Sequence, residues 1–297
     1  MNHDAKAVTV IIPTRALRER AAVIRRAIDS VLSQAGVRAV PLIVVNGTGR
    51  DPELVQAMTS DPRLRVLCQE EAGIPAALRA GRQVLDTPWF ADLDDDDLFL
   101  PGALALRVDA LEKRPDCCAV ITNGYRRSAA GDVLNAPDDL DVEADPMRAL
   151  IRRNWLLPGG YLCRTEAVEP AAFEGMPRYL ERTYFALWLL THCQIIWLKQ
   201  PTVVYHLETP QAEWRSRKAG LAQADALRQI LTLELPADVR AVFRARVGRA
   251  CHAASDREYR EGALREAWRW HLRSLRESGG WRFLPYSRHL LRASLPF

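Results

Sequence analysis

The sequence predicts an α/β fold, with a Rossmann-like, mostly parallel, doubly wound sheet carrying helices on both faces, followed by a helical C-terminal region. Three observations carry that expectation. Short β-branched runs alternate with amphipathic helix patterns over residues 8–206, the signature of strand–helix–strand units. Polar residues stand at the ends of those runs, at the edge where open α/β sheets bind ligands. Beyond Glu213 the apolar spacing turns helical to the end, with a break at Gly279-Gly280. A chain of 297 residues accommodates one large domain and an appendage, so domains are expected at 1–210 and 211–297.

Val8-Thr9-Val10-Ile11-Ile12, ended by Pro13, reads as a buried strand. After Thr14-Arg15, a helix pattern puts Ile24, Ala27, Ile28, Val31 and Leu32 on one face. A second strand at 42–45 runs into the turn cluster Asn46-Gly47-Thr48-Gly49. A short helix at 52–58, a strand at 64–67 and a helix at 74–84 follow. The fourth strand, 89–93, delivers Asp92-Leu93-Asp94-Asp95-Asp96-Asp97. Pro101 suits the first turn of the next helix, whose stripe is Leu104, Val108 and Leu111. A strand at 118–122 leads to a hairpin over 125–134 with Ala130-Gly131-Asp132 at its tip. Residues 140–153 become helical, 155–164 are a loop entering a strand, and 179–190 form a helix carrying Glu181. Strands at 194–198 and 202–206 close the core.

With 48% hydrophobic and 26% charged residues the chain has the balance of a soluble globular protein. A net charge of +4 makes no global electrostatic case for nucleic acid. The charge is uneven, with 17 Lys or Arg against 9 Asp or Glu from Gln211 onward, a net of +8 that leaves −4 for residues 1–210. Six cysteines without a C-x-x-C spacing predict reduced, mostly buried thiols and a cytoplasmic protein. The polar opening Met1-Asn2-His3-Asp4 shows no signal peptide, and no apolar stretch approaches the length of a membrane span.

Five carboxylates in six positions at the exit of a buried strand repel one another. Folding tolerates them when a cation sits among them, and an all-oxygen ligand set suits a hard divalent ion. A solvated acidic turn is the plain alternative. Against it stand the flanking strand and helix, and two further polar strand ends, Thr14-Arg15 and Asn46-Gly47-Thr48, that the topology brings to the same edge.

Taken together, these pieces resemble family 2 glycosyltransferases, inverting enzymes of the GT-A fold that use nucleotide-diphosphate sugars. Val10-Ile11-Ile12-Pro13-Thr14-Arg15 looks like that family's first strand, and Val44-Val45-Asn46-Gly47-Thr48 sits where it usually has Asp-Asp-Gly-Ser or Asp-Asn-Gly-Ser. Gly73 to Gly81 is similar to its Gly-x-x-x-Ala-Arg-Asn-x-Gly helix, with Leu78 and Arg79 in place of Arg and Asn. Leu93-Asp94-Asp95-Asp96-Asp97, followed by Pro101, is close to its Leu-Asp-x-Asp-Asp-x-x-x-Pro motif. The resemblance covers roughly residues 7–210, and the acidic motif is its specific part.

It implies a Mn²⁺ or Mg²⁺ ion held by Asp94, Asp96 and Asp97, with His206 as a further ligand, to neutralise the departing diphosphate. Pro13, Thr14, Arg15, Asn46, Arg79, Asp94 and Asp95 are expected to contact the nucleotide sugar, a UDP-sugar foremost. Asp92 falls outside the metal set. The family takes its base from a Glu-Asp pair that opens a helix; here the pair is Glu181-Arg182. An arginine cannot accept a proton at neutral pH, which leaves Glu181, or another carboxylate such as Glu174, to deprotonate the acceptor. The rival reading is a GT-A-fold protein that binds a nucleotide sugar without turnover. The acceptor is expected to be a glycan or lipid-linked glycan of cell-envelope polysaccharide synthesis.

The tail places Leu264, Ala267, Trp268, His271, Leu272 and Leu275 on one helical stripe with arginines interleaved, then Trp281, Phe283, Leu284, Tyr286, Leu290 and Leu291 with Arg282, Arg288 and Arg292. Such an end can lie on the inner face of an anionic membrane or pack as a helical subdomain.

Overall fold

A computed structural model describes residues 6–208 and 217–294. By compactness the chain divides into one unit of Met1–Met176 with Glu181–Thr209 and another of Pro177–Leu180 with Pro210–Phe297. The expected boundary at residues 210 and 211 lies outside the described residues.

The first unit is built on a nine-stranded sheet. Its opening half follows the alternation in the sequence: β1 (Ala7–Thr14), α1 (Ala21–Leu32), β2 (Arg38–Asn46), α2 (Pro52–Thr59), β3 (Arg65–Gln69), α3 (Ile74–Gln83) and β4 (Trp89–Asp92). β3, β2, β1 and β4 lie side by side and all pair in parallel. β1 is buried at every position, as its unbroken apolar run requires. Pro13 sits within the strand, opposite Val44, and does not end it. On α1 the stripe Ile24, Ala27, Ile28 and Val31 is buried against the sheet, and Leu32 packs at the margin of that core. The carboxyl of Asp51 caps α2 by accepting from Leu54 N at 2.9 Å.

The second half departs from a purely parallel sheet. It comprises β5 (Leu98–Phe99), α4 (Ala103–Glu112), β6 (Cys117–Ser128), β7 (Gly131–Leu134), α5 (Pro146–Arg152), β8 (Tyr161–Arg164), α6 (Glu181–His192) and β9 (Gln194–His206). The order is β3-β2-β1-β4-β8-β6-β9-β5, with β7 paired to β6. β8 is antiparallel to both β4 and β6, whereas β6 and β9 run in parallel. The sheet is therefore mixed beyond β4. The two strands expected at 194–198 and 202–206 are one irregular strand, and its register against β6 shifts near Asn123. The expected hairpin is β6–β7, with Tyr125 opposite Leu134. Leu104, Val108 and Leu111 of α4 are buried as their spacing predicts.

One cysteine expectation is overturned. Cys118 and Cys193 form a disulfide, with Cα atoms 6.0 Å apart across a separation of 75 residues. The pairing of β6 with β9 sets Cys117 opposite Gln194, a proximity that no sequence spacing encodes. Cys117, Cys163 and Cys251 are free and buried, and Cys68 is free and exposed.

The second unit is helical: α7 (Arg217–Ile230), α8 (Ala237–Arg260), α9 (Leu264–Arg276) and α10 (Leu284–Ser294). Val239, Phe243, Val247, Cys251 and Ala254 give α8 its buried stripe. Glu258, also buried, pairs with Arg217. Ala267 and His271 of α9 are buried while Leu272 is exposed, so the stripe read from the sequence is packed only in part. A 3₁₀ turn at Gly280–Phe283 follows the glycine pair. A Cβ at Gly280 would fall 2.4 Å from the Ser274 carbonyl oxygen, so only glycine fits. No described helix is long and apolar enough to cross a membrane.

Gly124 lies where β6 and β9 press together; a Cβ there would stand 2.5 Å from Val203 Cγ1 and 2.8 Å from the Val203 carbonyl oxygen. Gly124→Ala is expected to destabilise the chain by about 1–3 kcal/mol, read as a lower urea midpoint at unchanged slope.

Candidate active site

Three strands bring their carboxyl ends to one edge. Thr14 closes β1, Asn46 closes β2, and Asp92 closes β4, from which the loop 93–97 runs to β5. The acidic loop folds into a turn, with Asp97 N donating to Asp94 O at 3.0 Å.

The carboxylates are compensated mainly by arginine. Arg182, in the first turn of α6, donates from Nη1 to Asp92 and from Nη2 to Asp94 Oδ1 at 3.0 Å. Burial opposes its charge, but Asp92 and Asp94 outweigh that and hold the guanidinium above its ordinary value. Arg20, in the turn before α1, binds Asp95 and lies 3.2 Å from Asp96 Oδ2. Thr14 Oγ1 adds a bond to Asp95 Oδ2 at 2.6 Å, and Arg26 Nη2 donates to the Asp96 carbonyl at 2.9 Å. Neither Arg20 nor Arg26 belongs to the set expected from the sequence. Their only signal was the demand of five acids for counter-charge.

Asp97 has a different role. It is wholly buried, and its Oδ1 accepts from the His206 backbone N at 2.8 Å, which pins the end of β9 to the loop. Its Oδ2 is buried without a partner, as is His206 Nδ1, which lies 3.7 Å from Asp97 Oδ1. Burial, with Asp94 and Asp96 nearby, raises the Asp97 carboxyl well above the usual range. Burial, with Arg26 and Arg127, pushes the His206 imidazole below its ordinary value.

Several expected nucleotide contacts are otherwise engaged. Asn46 is buried, and both ends of its carboxamide are used: Nδ2 donates to Thr14 O at 3.0 Å and Oδ1 accepts from Gly73 N at 2.9 Å. It ties β1 to the start of α3. Arg79 pairs with Glu71 at 2.7 Å. Pro13 is buried in β1, while Arg15 is exposed beyond the strand end. Glu181 opens α6 and is partly buried, one residue from the arginine that contacts Asp92 and Asp94. Glu174 is exposed.

Asp92 also holds the opposite wall. Its Oδ1 accepts from Gly159 N at 3.2 Å. Arg107, wholly buried, donates to Gly159 O at 2.6 Å, to Tyr161 O at 3.2 Å and to the Thr122 hydroxyl. Burial lowers its guanidinium to about 9. Gly159 has φ +68°, and a Cβ there would meet Leu93 Cδ1 at 2.8 Å, so glycine alone allows this approach.

The four-ligand set Asp94, Asp96, Asp97 and His206 is not assembled as a cage. Among the described residues no group of three His, Cys, Asp or Glu side chains is placed to hold a metal ion unaided. Asp94 is committed to Arg182, and Asp97 faces inward. Asp96 and His206, close enough for the Asp96 charge to act on the ring, fit a divalent ion that takes the rest of its shell from water and substrate phosphate, the habit of Mg²⁺. The unpartnered His206 Nδ1 agrees with that fit.

An acidic loop at the carboxyl edge of a sheet parallel in its first half and mixed in its second defines a protein of the GT-A class. The model of Glycosyl transferase family 2 matches residues 9–160, just over half of the chain, and the chain belongs to that family. An uncharacterised glycosyltransferase of Rickettsia prowazekii is 28% identical over 118 residues, 40% of this chain and 36% of that protein. One of Rickettsia typhi matches at the same identity and coverage. The chain thus spans little more than a third of those relatives. Among solved structures, S. aureus TarS 1–349 in complex with UDP-GlcNAc aligns with a TM-score of 0.57 at 12% identity, over 83% of this chain and 72% of that one. That likeness concerns the fold.

Burial, opposed by Arg182, pushes the Asp94 carboxyl up to about 7 and raises Asp95 as well. An acid whose folded value lies above its unfolded value of about 4 holds its proton more tightly when folded. Its contribution to stability is therefore complete below about pH 4 and lost as pH rises through about 7. Without divalent cation, the chain is expected to melt at higher temperature near pH 5.5 than near pH 7.5. Asp94→Asn should shrink that difference in calorimetric scans.

Proposed function

We propose that the protein transfers a sugar from a nucleotide-diphosphate donor to a hydroxyl of a glycan or lipid-linked glycan, with inversion at the anomeric carbon. The observation that carries this reading is the acidic loop at the carboxyl edge, with Asp94 and Asp96 partly accessible and Arg20 and Arg182 interleaved among the acids. TarS has been crystallised with UDP-GlcNAc and with UDP, which supports a UDP-sugar as donor here.

The acceptor oxygen attacks the anomeric carbon as the bond to the diphosphate oxygen breaks. The hydroxyl proton passes to a carboxylate, for which Glu181 at the head of α6 is the candidate. Thr14 and Arg20 orient Asp95 toward the ribose side, and the loop at Gly159 closes the opposite wall. Asp96 and His206 would hold Mn²⁺ or Mg²⁺, which when bound stabilises the negative charge gathering on the leaving diphosphate.

One observation favours a second reading, a protein that binds nucleotide sugar without turnover. Arg182 stands where the resemblance expects the base, and its guanidinium is bound to Asp92 and Asp94.

Donor hydrolysis or transfer measured with and without Mn²⁺ or Mg²⁺ separates the two. Asp96→Ala is expected to abolish turnover and its metal dependence. Glu181→Gln should lower kcat by about 10²–10⁴-fold while the donor still raises the melting temperature. A wild-type chain stabilised by a nucleotide sugar but unable to turn it over would establish the second reading, and a fully active Glu181→Gln would assign the base elsewhere.

A further inference from the structure

Among the described residues, the large hydrophobic side chains left exposed are Val84, Val133, Leu272, Trp281, Leu284 and Leu291. Four of these six fall within residues 272–291. Trp281, Leu284 and Leu291 are 69%, 56% and 54% exposed, an unusual concentration for an otherwise polar helical unit.

The 3₁₀ turn at Gly280–Phe283 runs directly into α10, and the two faces of that segment differ sharply. Phe283, Tyr286 and Leu290 lie on one side. There Phe283 stacks on His252 at 4.4 Å, Tyr286 packs edge-on to the same ring at 4.8 Å, and Leu290 is wholly buried. Ser287, on the same side, meets His271 Nε2 at 2.7 Å. These contacts fix the segment on α8 and α9. At helical spacing, Trp281, Leu284, Arg288, Leu291 and Arg292 occupy the opposite side, within an arc of about 100°. The outer face is thus apolar with arginine set among its apolar members, and the inner face is already used for packing.

Charge decides what this face fits. Arg282, Arg288 and Arg292 are exposed, and among the described residues none is paired with a carboxylate. No Asp or Glu follows Glu277 in the sequence. Arg282 lies over the Trp281 ring with its guanidinium carbon 5.6 Å from the centroid. A tryptophan and two leucines on an outward face, ringed by unpaired arginines, match an anionic bilayer surface: the apolar side chains enter the headgroup boundary and the guanidinium groups meet lipid phosphates.

We propose that the outer face of residues 281–292 docks this protein on an anionic lipid surface, in the plane of the interface. The proposal is independent of the donor chemistry, and its test involves no turnover.

The full chain is to be floated with vesicles of phosphatidylglycerol mixed into phosphatidylcholine, and with phosphatidylcholine alone, at about 0.1 M salt. Binding is expected on the mixed vesicles and to be at least about tenfold weaker on phosphatidylcholine alone. Trp281→Ser, Leu284→Ser and Leu291→Ser together should reduce binding at least about tenfold. Arg282→Gln, Arg288→Gln and Arg292→Gln together should reduce it by roughly fivefold per arginine. All six positions are exposed, so both triple variants should keep the wild-type melting temperature. A surface-directed loss is thereby separated from unfolding, which substitution of the packed Phe283 and the buried Leu290 would not allow. Equal binding to both vesicle types, or undiminished binding by either folded variant, overturns the proposal. Failure of wild type to bind, with a dimer in light scattering that the serine variant converts to monomer, would assign the face to a second copy of the chain.

Discussion

Carboxylates at 92, 94, 95, 96 and 97 occupy barely more than one turn of chain, and the native structure meets their mutual repulsion with two guanidinium groups. Arg182 spans Asp92 and Asp94, and Arg20 spans Asp95 and Asp96. Removing Arg182 would leave the wholly buried Asp92 carboxylate without its cation, at a cost of about 3–5 kcal/mol. The two arginines come from elements more than 150 residues apart in sequence. The same electrostatic demand therefore draws the chain preceding α1 and the first turn of α6 to the ends of the parallel strands. Asp97 is the member without a cation. It is buried, holds the end of β9 through the His206 backbone, and keeps one oxygen unpartnered.

Asp92 links this charge pairing to the architecture. One of its oxygens receives Arg182 and the other receives the amide of Gly159. Arg107 holds the same glycine from the carbonyl side. Arg107 is a buried cation satisfied largely by carbonyl and hydroxyl oxygens, and burial accordingly lowers its guanidinium. The segment entering β8 is thus gripped through both backbone groups of one residue, the N–H and the C=O of Gly159. Because β8 runs antiparallel between β4 and β6, this grip also fixes the seam at which the sheet changes from parallel to mixed.

Charge pairing bears on ligand choice as well. Five uncompensated carboxylates would repel a diphosphate. With Arg20 and Arg182 in place the loop is closer to neutral, and a divalent ion at Asp96 and His206 would tip the balance toward an anion. The arginine that takes the expected base position therefore serves the acidic loop directly. In the proposed transfer, proton removal from an acceptor would fall to a neighbouring carboxylate, and Glu181 is adjacent in sequence.

Much of the fold was legible in the residues. The unbroken apolar run of β1 required burial on both faces, and the 3.6-residue spacing of Ile24, Ala27, Ile28 and Val31 chose the face of α1 that packs. The acidic stretch announced itself by charge density at a strand exit. Periodicity reports burial and element type; it does not name partners. It could not show that β8 inserts antiparallel between β4 and β6, that Asn46 spends its carboxamide on Thr14 and Gly73, or that Cys118 of β6 meets Cys193 just before β9. The sequence by itself determined where the acids stand and that they need counter-charge. Only the tertiary structure decided that Arg20 and Arg182 supply it, because charge compensation depends on distance in space, which chain spacing does not record.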